Sequence, residues 1–262
     1  MATKSDLRVL DGKVAVVTGA SAEGIGGATA RRLAGSGATL FLTSTEPLED
    51  QKRIVADCIE AGIASDWVQC RRYDFTAHDS ADRMVADAIA SYGRIDILIN
   101  NAGMRNRKPF GSFARVEFDE MIAVNLRAPF LASQAVVPHM RRQGGGRIVH
   151  VASQMGLVTA PDLSLYSITK AGLISLTRSM ALELSLDGIA VNAVSPGPIM
   201  SGFQAMRLRG KDEERAALAG MVPLGRFGTP DEVAEVIHFL ATSDGTFIQG
   251  ENLVVDGGYV IH

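Results

Sequence analysis

Cysteine and aromatic side chains are scarce. Two cysteines, Cys58 and Cys70, stand among 262 residues, with one tryptophan and 6% aromatic residues. Two thiols so placed make neither a disulfide framework nor a zinc-ligand spacing, and they point to a reducing compartment, the cytosol. Charge of one sign is scarce too. A formal net charge of −3 gives no general attraction to nucleic acid or anionic lipid, so neither is expected as a partner. Residues 1–10 are polar, without the apolar run of a signal peptide, and no apolar stretch is long enough to span a bilayer. Linkers, low-complexity segments and repeats are absent. What is present is a 47% hydrophobic fraction, enough for a core, beside 21% charged residues. One domain over residues 1–262 is expected.

Apolar runs alternate with helical patterns along the chain. Strands are expected at 14–18, 39–43, 68–73, 95–100, 147–152, 190–195 and 252–255, and helices near 24–36, 46–61, 80–92, 115–142, 164–186 and 231–242. Strict β/α alternation implies an α/β fold, a doubly wound parallel sheet with helices on both faces. Several strand runs are continuously apolar, as strands covered on both faces should be. The segment 196–230, rich in Gly, Pro and Met, reads as an irregular lid or substrate loop.

The first strand runs into Gly19-Ala20-Ser21-Ala22-Glu23-Gly24-Ile25-Gly26 and then a helix. Glycines there let the backbone turn tightly and approach a pyrophosphate, and the positive end of the helix would face the phosphates. At the end of the second strand Ser44 and Thr45 stand where a carboxylate would select a ribose 2′-OH. Two hydroxyls can donate to a 2′-phosphate, so NADP is the expected dinucleotide; Glu23 and the lack of an Arg or Lys at the strand end count against it and leave NAD as the alternative. Asp74, after the third strand, can accept from an adenine amino group or cap the following turn. Asn100-Asn101-Ala102-Gly103 ends the fourth strand and either lets the chain pass close to a ribose or forms an Asn-rich turn.

Tyr166 and Lys170 lie four residues apart, one helical turn, with Ser153 thirteen before the tyrosine. A free phenol, with a pKa near ~10, is a poor acid or base at neutral pH; a cation beside it lowers that value. Such a pair, with a serine hydroxyl on the same oxygen, can move a proton on or off an alcohol while a hydride leaves or reaches its carbon. Taken singly, the three residues read as a surface tyrosine, a solvated lysine and a capping serine. Their joint spacing favours catalysis.

Six motifs coincide in order: Thr18 to Gly26, Asn100 to Gly103, Asn125, Ser153, Tyr166-x-x-x-Lys170 and Pro196-Gly197. Together they resemble the short-chain dehydrogenase/reductase family over residues 13–258. The resemblance implies a Rossmann-like sheet of seven parallel strands, a nicotinamide cofactor and a tetrad of Asn125, Ser153, Tyr166 and Lys170. In the family the Asn125 position kinks its helix and holds a water that links Lys170 to solvent, and Lys170 also holds the nicotinamide ribose. The implied cofactor contacts are Gly19, Ser21, Gly24, Ile25 and Gly26 in the turn, and Ser44, Thr45, Asp74 and Phe75 beyond the second and third strands. Asn101, Ala102 and Gly103 follow, then Tyr166 and Lys170, then Pro196, Gly197, Ile199 and Ser201 at the carboxamide. One departure concerns the turn: four residues, not three, separate Gly19 from Gly24, and Glu23 stands where NADP-preferring relatives often carry a basic residue.

Within the family the Gly37-Ala38 turn, Thr45 and the ending Asp256-Gly257-Gly258 resemble carbonyl reductases related to 3-oxoacyl-carrier-protein reductase. A homotetramer is implied by the same resemblance. The stripe Leu173, Leu176, Met180 and Leu184 faces either core or partner. Gln154, Met155, Met200 and Phe203 are the expected substrate contacts, an adaptable apolar pocket for a carbonyl or alcohol, with Met206 as filler. Arg105, Arg107 and Lys108 either attract an acidic substrate or cofactor phosphate or form a solvated basic loop. The alternatives are the same chemistry run mainly as NAD-dependent alcohol oxidation, and a dinucleotide-sensing protein without turnover.

Overall fold

The central strands are built mostly from apolar residues, with few side-chain polar atoms to satisfy on either face. β1 Val14–Val17, β4 Ile97–Asn100 and β6 Ile189–Pro196 are buried along their whole length. With β2 Thr39–Thr43, β3 Val68–Arg71, β5 Gly146–Val151 and β7 Asn252–Val255 they form one parallel sheet in the order β3-β2-β1-β4-β5-β6-β7. The computed structural model describes residues 8–243 and 247–261; of the polar start at 1–10, residues 1–7 lie outside the described residues.

Alternate side chains of each strand enter opposite cores. Ala15, Val17, Leu40, Leu42, Ile97 and Ile99 meet α1 Ile25–Gly35, α2 Leu48–Glu60 and α9 Pro230–Thr242. Val16, Phe41, Leu98, Ile148 and Val191 meet α3 Ser80–Tyr92, α5 Ala128–Gln143 and the end of α6 Ser164–Leu184. Chain order reverses between β1 and β4, which opens a crevice at the carboxyl ends of those two strands, the usual place for a ligand in such sheets.

Two segments differ from the sequence expectation. The single helix expected over 115–142 is α4 Arg115–Ile122, a five-residue π-helical turn Ala123–Arg127, and α5. The widened turn breaks the hydrogen-bond ladder where Asn125 sits, the position at which the family resemblance implies a kink. The segment expected to be irregular, 196–230, contains α7 Gly202–Arg207 and α8 Asp212–Gly220. α8 buries no residue, so it carries no apolar periodicity to read; three acids in its first turn, Asp212, Glu213 and Glu214, favour its N-terminus. Among the described residues no helix is long and apolar enough to cross a membrane.

Candidate active site

Glycine is required where the first turn meets β4. Gly19 has φ +69°, and a Cβ there would lie 2.8 Å from the Cα of Ala102. A Cβ on Gly26 would strike the carbonyl of Gly19, and one on Gly27 the carbonyl of Ser21. Thr18 fastens the two strand ends: its hydroxyl accepts the N–H groups of Asn101 and Ala102, both at 2.9 Å, and faces the carbonyl of Ile99 at 3.3 Å. The amide of Asn101 donates to the carbonyls of Thr18 and Gly19, each at 2.9 Å. The Asn101 side chain, expected near a ribose, is therefore spent on holding the turn. The first turn of α1 has no side-chain cap and no acidic residue of its own, so no side chain competes with an anion for its leading N–H groups.

At the end of β2, Ser44 is buried and its hydroxyl accepts the N–H of Glu46 at 3.1 Å, while Thr45 is exposed. The Asp74 carboxylate accepts from the N–H and hydroxyl of Thr76 at 2.9 and 2.7 Å, which is the capping role. Phe75 is buried and stacks on Tyr73.

Ser153 ends β5, with its hydroxyl accepting the N–H of Met155 at 3.1 Å. Tyr166 and Lys170 come from the first two turns of α6. The Lys170 ammonium lies 5.8 Å from the Tyr166 ring centre and donates to the carbonyl of Val151 at 2.8 Å. Asn125 is wholly buried. Its side chain accepts the Met104 N–H at 2.8 Å and donates to the Met104 carbonyl at 2.9 Å and to the Thr169 hydroxyl at 3.1 Å.

Electrostatics correct one expectation. Burial raises the Tyr166 phenol above its ordinary value; a hydrogen bond from Ser153 and the charge of Arg105 pull it back in part. Lys170 does not set the direction. Burial lowers Lys170 itself to about 8. Below it, His150 is pushed down to about 3 by burial and by the charge of Lys170, so it stays neutral and adds no second cation.

These groups share a cavity of about 800 Å³. Ser153, Tyr166 and Lys170 form one wall, Ile25, Asn101 and Gly103 the end toward the glycine turn, and Ile199, Ser201 and Phe203 the side toward α7. Gln154 and Met155 line it as expected, and Phe203 does so with 61% of its surface exposed.

Residues 19–260 match the family model described as enoyl-(acyl carrier protein) reductase. The chain is 40% identical to cis-4-hydroxycyclohexanecarboxylate dehydrogenase of Sinomonas cyclohexanicum over 94% of its own length and 96% of that protein. It is 37% identical to 3-oxoacyl-acyl-carrier-protein reductase of Thermotoga maritima over 96% and 99%. Among solved structures, the short-chain dehydrogenase/reductase from Serratia marcescens superposes with a TM-score of 0.87 at 32% identity, over 96% of this chain and 99% of that one.

The chain belongs to the short-chain dehydrogenase/reductase family. As a member it is an NAD(P)-dependent oxidoreductase that moves hydride between a nicotinamide cofactor and a hydroxyl or carbonyl substrate. The cradle fits such a cofactor. Backbone that a Cβ would obstruct and an uncapped helix start lie at one end of the cavity, and the Tyr166 wall is continuous with them.

Several expected residues of this dehydrogenase/reductase stand elsewhere or do something else. Met200 is not on the cavity wall: it lines a separate surface depression with Ala22 and Glu23, because its N–H pairs with the carbonyl of Gly228 and the chain turns there. Met206 is exposed. Lys108 is paired with Glu117 across a helix start and leaves the site to Arg105 and Arg107, which line it. Ser201 lines the cavity and caps α7 by accepting the Gln204 N–H. Pro196 and Gly197 also line it, and a Cβ on Gly197 would lie 2.5 Å from the Cα of Asp256. Sequence reading missed Thr18 and Thr169 as fasteners, and Tyr259, Phe227 and Met221 as lining residues. Met221 and Phe227 fall in the 196–230 segment read as a substrate loop, but no local pattern singles them out, and Tyr259 comes from beyond β7.

Proposed function

We propose that the enzyme interconverts a ketone and a secondary alcohol with Tyr166 as general acid/base. The whole chain acts as one domain, with the segment 196–230 covering the substrate. The observation that carries this reading is the convergence of Ser153, Tyr166 and Lys170 on one wall of a cavity that runs to the glycine turn. The turn residues Gly19, Ser21, Gly24, Ile25 and Gly26, then Ala102, Gly103, Lys170, Ile199 and Ser201, would hold the dinucleotide. When bound it supplies or takes the hydride.

In the reductive direction the Tyr166 hydroxyl gives its proton to the substrate oxygen as negative charge builds there. Burial keeps that phenol protonated at neutral pH, which suits an acid. The Ser153 hydroxyl donates to the same oxygen. The phenolate left behind is stabilised by the Ser153 hydroxyl and by the Arg105 charge, and the Lys170 ammonium stands 5.8 Å from the ring centre. Asn125 anchors Met104, which sets the course of the loop that carries Arg105 past Tyr166.

The choice of dinucleotide turns on the end of β2. Ser44 accepts the N–H of Glu46, which orients its hydroxyl but leaves the O–H as a donor, so charge decides. The Glu46 carboxyl is raised by burial and by Asp50 and Glu23, and Arg53 pairs with Glu23 at 3.3 Å. A 2′-phosphate would enter a group of carboxylates whose neighbouring cation is engaged. These charges support NAD over the NADP that Ser44 and Thr45 suggested on their own. A homotetramer and a cytosolic setting complete the reading.

The test follows nicotinamide absorbance with a panel of ketones and alcohols in both reduced and both oxidised dinucleotides. Turnover is expected with at least one carbonyl class, with kcat/KM for NADH about tenfold or more above that for NADPH. Tight dinucleotide binding with no turnover on any member would leave a sensor and sink the proposal.

A further inference from the structure

The substrate cavity carries more positive charge than the roles of Lys170 and Arg105 beside Tyr166 account for. Arg105 and Arg107 from the loop after β4, Arg207 from α7 and Lys170 line it, against one carboxylate on the wall, Asp162. Two of the guanidiniums converge on one neutral atom. Arg105 Nη2 and Arg207 Nε each lie 3.3 Å from Oε1 of the buried Gln204. Arg207 has a second partner, Glu214, at 2.6 Å. Among the described residues no carboxylate lies within ion-pair distance of Arg105 or Arg107; Glu214 reaches Arg107 only through its longer-range field.

Such an arrangement holds two like charges at one carboxamide oxygen, a neutral acceptor that offsets neither. Guanidiniums are best satisfied by a planar oxyanion, which takes two parallel N–H donors from one fork. Like charges drawn together repel, and of these arginines only Arg207 pairs directly with Glu214. Arg105 shows this: it remains exposed in area, yet the protein packed round its guanidinium, with Arg107 and Arg207 beside it, lowers its pKa, while the Tyr166 charge acts the other way.

We propose that Arg105 and Arg107, with Arg207 and Gln204, form an oxyanion subsite in the cavity, so that the substrate is a ketone or alcohol bearing a carboxylate or sulfonate group. This deepens the proposed function and rests on the cavity being the substrate site. The dinucleotide phosphates are expected at the glycine turn and the uncapped start of α1, of which Ile25 alone lines this cavity; the R105Q/R107Q variant separates a substrate oxyanion from a cofactor phosphate. In chemical terms the substrate must come from a reaction that leaves an acid group intact beside an alcohol, such as ring or chain hydroxylation of a carboxylic or sulfonic acid.

The test is calorimetric titration of benzoate and its neutral isostere benzamide into the full chain, with and without bound dinucleotide. Benzoate should bind at least about tenfold more tightly than benzamide, and added salt should narrow the difference. The preference should vanish in R105Q/R107Q, with dinucleotide affinity unchanged. It should vanish again in Q204E, which supplies the missing carboxylate from inside and stands as the independent variant should the double substitution fail to fold. Equal binding of the two probes, no benzoate binding up to ~10 mM, or a preference that survives in R105Q/R107Q would overturn the proposal. So would a loss of dinucleotide affinity in that variant with the benzoate preference intact, which would assign the arginines to a cofactor phosphate. Hydride transfer is not read in this titration. A chain that prefers benzoate but reduces no ketone would therefore refute the proposed function and leave the subsite standing.

Discussion

Asn125 illustrates how one side chain ties chemistry to fold. Its amide satisfies both main-chain groups of Met104 and reaches Thr169 on the helix of Tyr166 and Lys170. Asn125→Ala would leave the Met104 N–H and carbonyl without their partner. The expected cost is about 2–4 kcal/mol in urea-unfolding experiments, with a loss of turnover exceeding any loss of dinucleotide affinity, because the loop bearing Arg105 loosens first. A change below ~0.5 kcal/mol would show that Asn125 is not structural glue. At this scale the sequence was informative for the residue set and poor for its energetics. Tyr166, Lys170 and Ser153 are legible because helical spacing and a strand end place them together. The direction of the Tyr166 pKa was not, because burial, which raises it, depends on packing from α7 and the 103–108 loop. Met200 was misplaced for a related reason: composition marks an adaptable segment, but the Ile199–Gly228 bridge decides which side chain faces inward.

Among the elements, α9 has the clearest local code. Thr229 accepts the Glu232 N–H at 3.2 Å, Glu232 accepts the Thr229 N–H at 2.8 Å, and Pro230 opens the helix. Arg226 donates to both Glu232 oxygens, at 2.7 and 3.0 Å. Hydrogen bonds from Arg226, then from the Thr229 backbone, hold the carboxyl down at about 2. A depressed carboxylate contributes stability that is full above its unfolded pKa of about 4.5 and is lost as pH falls toward 2. Glu232→Gln should therefore cost ~0.5–1 kcal/mol at pH 7, the size of an exposed cap. The difference from wild type should shrink as pH drops from 4.5 to 2, read from denaturation midpoints across that range. A difference that does not change with pH would remove the carboxylate from the explanation. Helices such as α1, α3 and α9 were readable because an apolar face recurs along them. α7 and α8 were not: they are short, and they dock on the cavity rim by contacts such as Gly202 N–H to the Glu23 carbonyl at 3.0 Å. The break between α4 and α5 was unreadable as periodicity, since the residues on both sides remain helical.

For the molecule as a whole, the parallel sheet with helices on both faces follows from β/α alternation and was legible, whereas its strand order, which alternation alone does not fix, was not. The quaternary state was not, since one chain's apolar stripe serves core or partner alike. Here Leu173 and Leu184 of α6 go to the core, while Phe118, Phe130, Ile168 and Leu182 are left exposed on α4, α5 and α6. That much apolar surface on neighbouring helices suits burial against other copies. Sedimentation at micromolar concentration should give a species of four chains. A monomer would contradict the assembly and leave those side chains unexplained.

The most direct measurement compares wild type with Tyr166→Phe in single-turnover hydride transfer, alongside dinucleotide affinity. Loss of the phenolic proton should slow the transfer by about a thousandfold or more, with dinucleotide affinity held within about twofold. A Tyr166→Phe enzyme that transfers hydride near the wild-type rate would mean that the proton comes from elsewhere, and the assignment of this wall as the reacting centre would fail.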